Sequence, residues 1–462
     1  MGPIERFVTS AVLALAAAGC TLGPAYRRPS VPPPAAWRTQ VEHAPPTWPS
    51  ADWWRGFGSS DLDALIAQAR LANDDLAAAI AQLREAEAQV TIATAPLLPT
   101  LDAQGTVARQ RSFIPLPGAG TLSYNDFSPQ LSASYELTFW GNWAARSAAL
   151  ATAAASRYDR ETVELTVMTS VANDYFTVLE LDDQVQIAQN NLASAQQTLQ
   201  GLEIDESVGT TTALDVAQQA AEVATLSAGI PPLLQQRRQT LDALAILIGK
   251  TPQSFDLAHG TLSGVSQPEL AAGLPSGLLM RRPDVAAAEA QLVAANADIQ
   301  QARAAFFPTI DLTASGGWES TALKTLLEPG SEVFDLAAGL TQPIFHGGAI
   351  RGEYRYSKAR YAELLADYHK AVLTAFGNVE DSLIAVRETR DQLEREQKAA
   401  DAAERAYNLS QTQFHAGTIN ILTVLSTETA LFTAQSTLAQ VKLAHLQALV
   451  GLFNALGGGW QR

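Results

Sequence analysis

Residues 304–318 read AAFFPTIDLTASGGW, and the chain changes character at Pro308. Ahead of it lies an alanine-rich stretch with a helical bias; beyond it, apolar and polar residues alternate strictly. A near-copy, APLLPTLDAQGTV, occupies 95–107 with the same break at Pro99. Proline lacks the backbone donor and pushes its predecessor out of the helical region, so a helix reaching either site stops there. The period-2 alternation that follows predicts a strand with one apolar and one polar face.

Two further segments alternate in the same way. In 130–139, Leu131, Ala133, Tyr135, Leu137 and Phe139 interleave with Gln130, Ser132, Ser134, Glu136 and Thr138. In 333–341, Phe334, Leu336, Ala338 and Leu340 interleave with Val333, Asp335, Ala337 and Gly339. Strands are therefore expected at about 100–111, 129–139, 308–318 and 333–345. Asp102, Glu136, Asp311 and Asp335 all fall on the polar register. A two-faced strand of this length suits a half-buried sheet in a soluble domain or a tilted strand crossing a bilayer.

The chain repeats itself. PTLD at 99–102 matches PTID at 308–311, an offset of 308 − 99 = 209, and VGTTTALDV at 208–216 matches AGTINILTV at 416–424, an offset of 417 − 209 = 208. A near-constant offset over a hundred residues marks a duplicated unit. Each copy begins with a helix, at 61–95 and 283–306, the second with Pro283 and Asp284 in its first turn. Two strands follow, then long helical stretches at about 142–207 and 349–415. Leu181, Val185, Ala188, Leu192, Ala195, Leu199 and Leu202 step alternately by four and three, a heptad seam. After the turns at Gly209 and Gly417 a second helix returns. Leu425, Phe432, Ala439, Leu446 and Phe453 recur every seven residues, as do Val424, Leu431, Leu438, His445 and Leu452. Two adjacent stripes suit a helix with a neighbour on each side, as in a ring of helices. In the first copy Ile230-Pro231-Pro232 is expected to break or kink the return helix.

The ends of the chain set the compartment. Residues 1–20, MGPIERFVTSAVLALAAAGC, place Arg6 before an apolar run and close on the single cysteine, Cys20. This is a secretory signal, 1–19, whose ending resembles a bacterial lipoprotein signal. That resemblance implies a lipidated Cys20, and Thr21 after it implies sorting to the outer membrane. Residues 20–57 are rich in proline and read as an extended segment anchored by Trp53 and Trp54. The duplicated copies then fill 58–273 and 274–462. No apolar run of 18 residues follows Cys20, so any bilayer crossing must use strands. The formal net charge of −16 disfavours a nucleic-acid partner. Hydrophobic content of 47% with only 7% aromatics favours long, closely packed helices over a thick globular core.

Together the signal and the missing apolar helix favour a barrel. Four strands cannot close one, and an open edge in lipid leaves backbone groups unpaired. The fold class expected is therefore mainly α with a small β part, in an oligomer that shares its strands. Two chains would supply eight strands and a filled interior; three would supply twelve and room for a pore.

The run LPSGLLMRRPDVAAAEAQLVAANADIQQARAAFFPTIDL (274–312) resembles the central signature of the TolC-like outer-membrane efflux lipoproteins, the OprM-type or NodT group. YELTFWGNWAARSA (135–148), IPPLLQQRRQTLDALAILIGK (230–250) and the two glycine turns resemble it too. The resemblance implies a homotrimer with a twelve-stranded barrel continuous with a periplasmic α-helical barrel. It also implies a duct for drugs or other small molecules, fed by an inner-membrane transporter, usually of the RND type, through a periplasmic adaptor. Such relatives gate the periplasmic end with a leucine ring, aspartates and an arginine or tyrosine network. Counted from Gly417, the leucine falls on Leu422, the acidic position on Ser426, the arginine on Thr429 and the tyrosine on Phe414. In the first copy Asp215 matches an acidic position. The expected constriction centres on Leu422 and Asp215, and the strand carboxylates Asp102, Glu136, Asp311 and Asp335 are expected to face the lumen.

No enzyme constellation is present. The six histidines never fall at metal-ligand spacing, no GxSxG follows a strand, and no phosphate loop precedes a helix. Neither a metal nor a cofactor is expected beyond the lipid on Cys20. Two other readings stay open: a duct for polypeptide secretion or metal efflux, and a lipid-anchored periplasmic coiled-coil scaffold without a pore.

Overall fold

The computed structural model describes residues 25–39, 48–113, 121–137, 141–268, 275–278 and 281–460. The signal segment and Cys20 lie outside them. The chain forms two compact units. One takes residues through Ser30, Gln82–Ser156 and Ala287–Tyr368; the other takes Val31–Ala81, Arg157–Ala286 and His369–Arg462.

The elements run α1 (Ser60–Ala72), α2 (Asp74–Thr94), β1 (Thr100–Phe113), β2 (Thr121–Glu136), α3 (Gly141–Ser207), α4 (Ala213–Leu247), α5 (Pro283–Ala304), β3 (Thr309–Trp318), β4 (Glu332–Thr341), α6 (Ala349–His415) and α7 (Ile421–Ala455). The duplication reaches the residue level. Helices α3 and α6 each have 67 residues, and α4 and α7 each have 35.

The first unit carries the sheet, four antiparallel strands in the order β1-β2-β3-β4, so β1 and β4 are its edges. The first hairpin is longer than its duplicate, 14 and 16 residues against 10 and 10. Its second strand starts at Thr121, eight residues before the expected 129. Beyond Ser128 the apolar alternation is lost, yet the ladder to β1 continues to Phe113 opposite Thr121. Strand β4 ends at Thr341, short of the expected 345, because Pro343 has no N–H to offer a ladder. In the same unit Arg28 clasps Glu289 in two parallel bonds, Nε to Oε1 at 2.6 Å and Nη2 to Oε2 at 2.5 Å. This ties the N-terminal segment to α5.

The second unit holds an aromatic core. Trp53 stacks on Phe453 with centroids 5.0 Å apart, and Phe57 lies 5.0 Å from Phe176. Trp53, Trp54 and Phe57 sit on a short 3-10 turn, Trp53–Phe57, that closes the proline-rich segment. The helix expected over 61–95 is two helices. Asn73 splits it: its Oδ1 accepts from the Leu76 N–H at 2.9 Å while its Nδ2 donates to Leu247 O at 2.9 Å. One side chain thus caps α2 and docks it on the end of α4.

Helix α4 passes through Pro231 and Pro232 without interruption. The two prolines leave the carbonyls of Ser227 and Ala228 without intrahelical donors. Residues 227–229, 231 and 232 are all exposed, so water can satisfy those carbonyls and the helix survives. On α3 the heptad seam is inward as expected: Leu181, Val185, Ala188, Ala195 and Leu202 are buried. Both α7 stripes are packed, with Val424, Leu431, Ala439, His445, Leu446, Leu452 and Phe453 buried. His445 is a satisfied core histidine. Its Nδ1 lies 2.9 Å from Thr389 Oγ1, and burial pushes its pKa down, so it packs neutral.

Candidate functional site

Two places gather the features that carry function: the sheet, and the end of the helical unit where both long hairpins turn.

Ladder register decides what the sheet presents. Asp102 is opposite Ser132, Ser132 opposite Ser315, and Ser315 opposite Asp335; Glu136 is opposite Asp311. Opposed residues in an antiparallel ladder share a face, as do residues two apart in one strand. All four carboxylates therefore lie on the same face. Glu136 and Asp311 oppose each other directly, which destabilises a sheet unless water can reach the pair.

The other face is apolar. Leu101, Ala133, Ala314 and Leu336 form one row across the strands; Ala103, Leu131, Gly316 and Phe334 form the next. Leu101 is 72% exposed, Val107 77% and Phe334 84%. A half-buried soluble sheet would cover this face with its own chain, and among the described residues nothing covers it. No helix of the described residues is long and apolar enough to cross a membrane. The exposed apolar face of the sheet is by its own composition compatible with lipid.

At the other site each long helix ends in the same way. Gly209 and Gly417 have φ of 78° and 73°, the left-handed region in which a side chain would be strained. The Thr210 N–H donates back to Asp205 O at 2.9 Å, and Thr418 N–H to Gln413 O at 3.0 Å. These 6→1 bonds terminate helices on a glycine. The return helices start on capping side chains. Thr212 Oγ1 accepts from the Asp215 N–H, and Asn420 Oδ1 accepts from the Thr423 N–H at 3.2 Å.

Asp215 is committed to its own helix. Its Oδ2 accepts from Thr212 Oγ1 at 2.6 Å, Thr212 N at 3.1 Å and Thr211 Oγ1 at 3.1 Å. The Thr212 hydroxyl bond leads in holding its pKa below the ordinary value, so the carboxylate stays charged in a capping box. Phe414 packs at the edge of a buried cluster of Leu202, Tyr407, Ile421, Val424 and Leu431 rather than standing free. Ser426 is exposed, as is Thr429, whose hydroxyl donates to Leu425 O at 2.9 Å. That leaves Leu422, 54% exposed, as a free apolar side chain among these positions. It has a counterpart the motif comparison misses. Leu214 lies 422 − 214 = 208 residues earlier, on the first turn of α4, and is 65% exposed. The repeat offset was the signal that could have found it.

Behind this end lies a buried polar layer. The Tyr407 hydroxyl lies 2.8 Å from Ser194 Oγ and accepts from Gln411 Nε2 at 2.6 Å. Gln219 Nε2 donates to Ala195 O at 2.9 Å, and Asn191 Nδ2 to Gln435 Oε1 at 3.3 Å. Within it Glu428 is 2% exposed, and neither carboxylate oxygen has a hydrogen-bond partner. Burial, reinforced by the Glu222 carboxylate, pushes its pKa up to about 7. The sequence did hold a sign of it, since Glu428 occupies a seam position between Val424 and Leu431. A third cluster is structural: buried Asp182 accepts from Arg237 Nε at 2.6 Å and from Gly260 N at 3.2 Å, with His259 Nδ1 2.5 Å away. It pins the loop after α4 onto α3. Among the described residues no group of His, Cys, Asp and Glu could hold a metal ion.

The family model for outer membrane efflux proteins matches residues 65–250 and 274–458, the two halves of the duplication. The pyoverdine export outer membrane protein OpmQ of Pseudomonas aeruginosa is 44% identical over 460 residues, 98% of this chain and 96% of that protein. The toluene efflux pump outer membrane protein TtgF of Pseudomonas putida is 34% identical over 466 residues, 98% and 96% of the two chains. Among solved structures, the open state of the MtrE outer membrane channel of Neisseria gonorrhoeae superposes with a TM-score of 0.87. It is 30% identical and covers 96% of this chain and 99% of that one.

Proposed function

The chain belongs to the outer membrane efflux protein family, and from that membership we propose that it works as a homotrimer whose sheets close one twelve-stranded barrel. It is the outer-membrane channel of an efflux system and has a mainly α fold with a small β part. The observation that carries the shared barrel is the open sheet, and the room for a pore favours three copies over two. Strands β1 and β4 are edges with an uncovered apolar face, and an open edge in lipid is costly. Pairing β4 of one copy with β1 of the next removes every edge. The polar face then lines the lumen and brings Asp102, Glu136, Asp311 and Asp335 to the permeation path.

Cargo enters from an inner-membrane transporter, of the RND type, through a periplasmic adaptor, and leaves to the exterior. A lipid on Cys20 anchors each copy. The relatives named for pyoverdine export and toluene efflux favour small molecules over polypeptides as cargo. Leu214 and Leu422, the exposed leucines of the two turns, form the periplasmic constriction. The Asp215 carboxylate holds the turn beneath it instead of locking the gate.

Single-channel recording in planar bilayers tests this reading. Five carboxylates per chain on the lumen face, these four and Asp126 of β2, predict a cation-selective conductance. Replacing Asp102, Asp126, Glu136, Asp311 and Asp335 together by their amides should abolish the selectivity while conductance persists. Anion selectivity in the parent protein would turn the sheet the other way round.

A further inference from the structure

The long hairpin has an end that the barrel does not need. The chain enters β1 from a helix at Thr100 and leaves β2 towards a helix after Glu136, so Phe113 and Thr121 mark the far end of the ladder. The second hairpin stops earlier, at Trp318 opposite Glu332. On the lipid-compatible register of β1 the apolar stripe Leu101, Ala103, Gly105, Val107 is followed by Arg109 and Arg111, both exposed. At roughly 3.4 Å per residue they lie about 7 and 14 Å beyond Val107 along the strand. Their partners across the ladder, Asn125 and Ser123, are neutral and hydrogen-bonding, and Arg111 Nη2 donates to Thr121 Oγ1 at 3.4 Å on the same face.

This patch holds no negative charge. Asp126, the carboxylate of the hairpin extension, is opposite Ala108 on the other face, where Tyr124 OH also donates to Gln110 Oε1 at 3.0 Å. The connecting residues 114–120, IPLPGAG, are uncharged in sequence. On the apolar register of the four strands the one carboxylate is Glu332, opposite Trp318 at the start of β4, the strand that pairs with β1 of the next copy once the barrel closes. Two guanidiniums therefore stand just past an apolar band, where headgroups begin.

We infer that Arg109 and Arg111 bind the phosphates of the saccharolipid that forms the outer leaflet of the outer membrane. The inference rests on the barrel reading, which makes the far end of the hairpin the exterior end. Guanidinium is suited to the role because its planar fork matches phosphate oxygens in pairs. Acidic side chains would repel that leaflet, and this face of the extension has none.

The test uses the detergent-purified full-length protein and vesicles of phosphatidylcholine containing either bis-phosphorylated lipid A or lipid A stripped of phosphate. Insertion is scored first, by heat-modifiable migration and protease protection of the strands; lipid A retained per chain is then measured. Each basic group at a charged surface contributes on the order of fivefold. The Arg109→Gln/Arg111→Gln double variant should thus retain phosphorylated lipid A roughly thirtyfold more weakly, with Arg109→Lys/Arg111→Lys in between. Retention by the parent that ignores the phosphates, or that survives the double glutamine change, overturns the proposal and leaves the barrel intact. Failure to insert into either vesicle removes the lipid face, and the proposal falls with the barrel.

Discussion

Glu428 is a carboxyl group at a position where a heptad seam accepts an apolar side chain. In the unfolded chain it titrates near 4.5, and in the folded one at about 7. Below the lower value it is protonated in both states and has no effect on stability. As pH rises between the two, the folded state retains a proton that the unfolded chain has released. Stability therefore falls across that window, and the penalty is complete above pH 7. A shift of this size corresponds to on the order of 3 kcal/mol. Glu428→Gln should raise the unfolding temperature of the detergent-solubilised protein at pH 8 and change it little at pH 4. Parallel pH profiles for variant and parent would refute the account. At the turns, exposure separates residues that motif spacing had grouped. Asp215 caps and Phe414 packs, while Leu214 and Leu422 stand free. Leu422→Ser should raise resting conductance and antibiotic leakage, and adding Leu214→Ser should raise both further. Unchanged leakage in the double variant would exclude an apolar constriction here.

At the scale of elements, the strands and helices follow rules of different reach. Period-2 alternation located all four strands, but their ends were set by pairing, and the first hairpin runs well past its apolar stretch. The two faces make a sharp comparison. Leu336 sits mid-band on the apolar face beside Ala314, and Ala337, its neighbour in sequence, is on the carboxylate face. An arginine on the lipid face at the bilayer midplane costs about 2–4 kcal/mol. Leu336→Arg should cut the heat-modifiable barrel fraction severely, and Ala337→Arg should leave it near the parent level. Equal loss in both would mean that the sheet is not two-faced in the membrane. For the helices, proline was a poor guide. Pro99 and Pro308 end helices where a strand can take over, yet Pro231 and Pro232 ride inside α4 because the carbonyls they leave unpaired belong to Ser227 and Ala228, both exposed. Asn73, a residue with no sequence prominence, breaks a helix because it satisfies two backbone groups at once.

The whole molecule is one architecture written twice, and the copies differ in the length of the strand hairpin and in the prolines of the return helix. The trimer reading predicts that native mass measurement in detergent finds three times the mass of one chain. A stable monomer with the same heat-modifiable strands would remove the shared barrel. The sequence by itself determined the family, the duplication, the four strands and the lengths of the long helices. Each of these rests on local periodicity or on residues close together in the chain. The shared face of the four strand carboxylates also followed, since register locks alternate residues to one side. Only the tertiary structure separated Leu214 and Leu422 from Asp215 and revealed the unpartnered Glu428. Those outcomes depend on which side chain is left over once its neighbours have packed and bonded. That is decided between elements far apart in sequence, where periodicity carries no information.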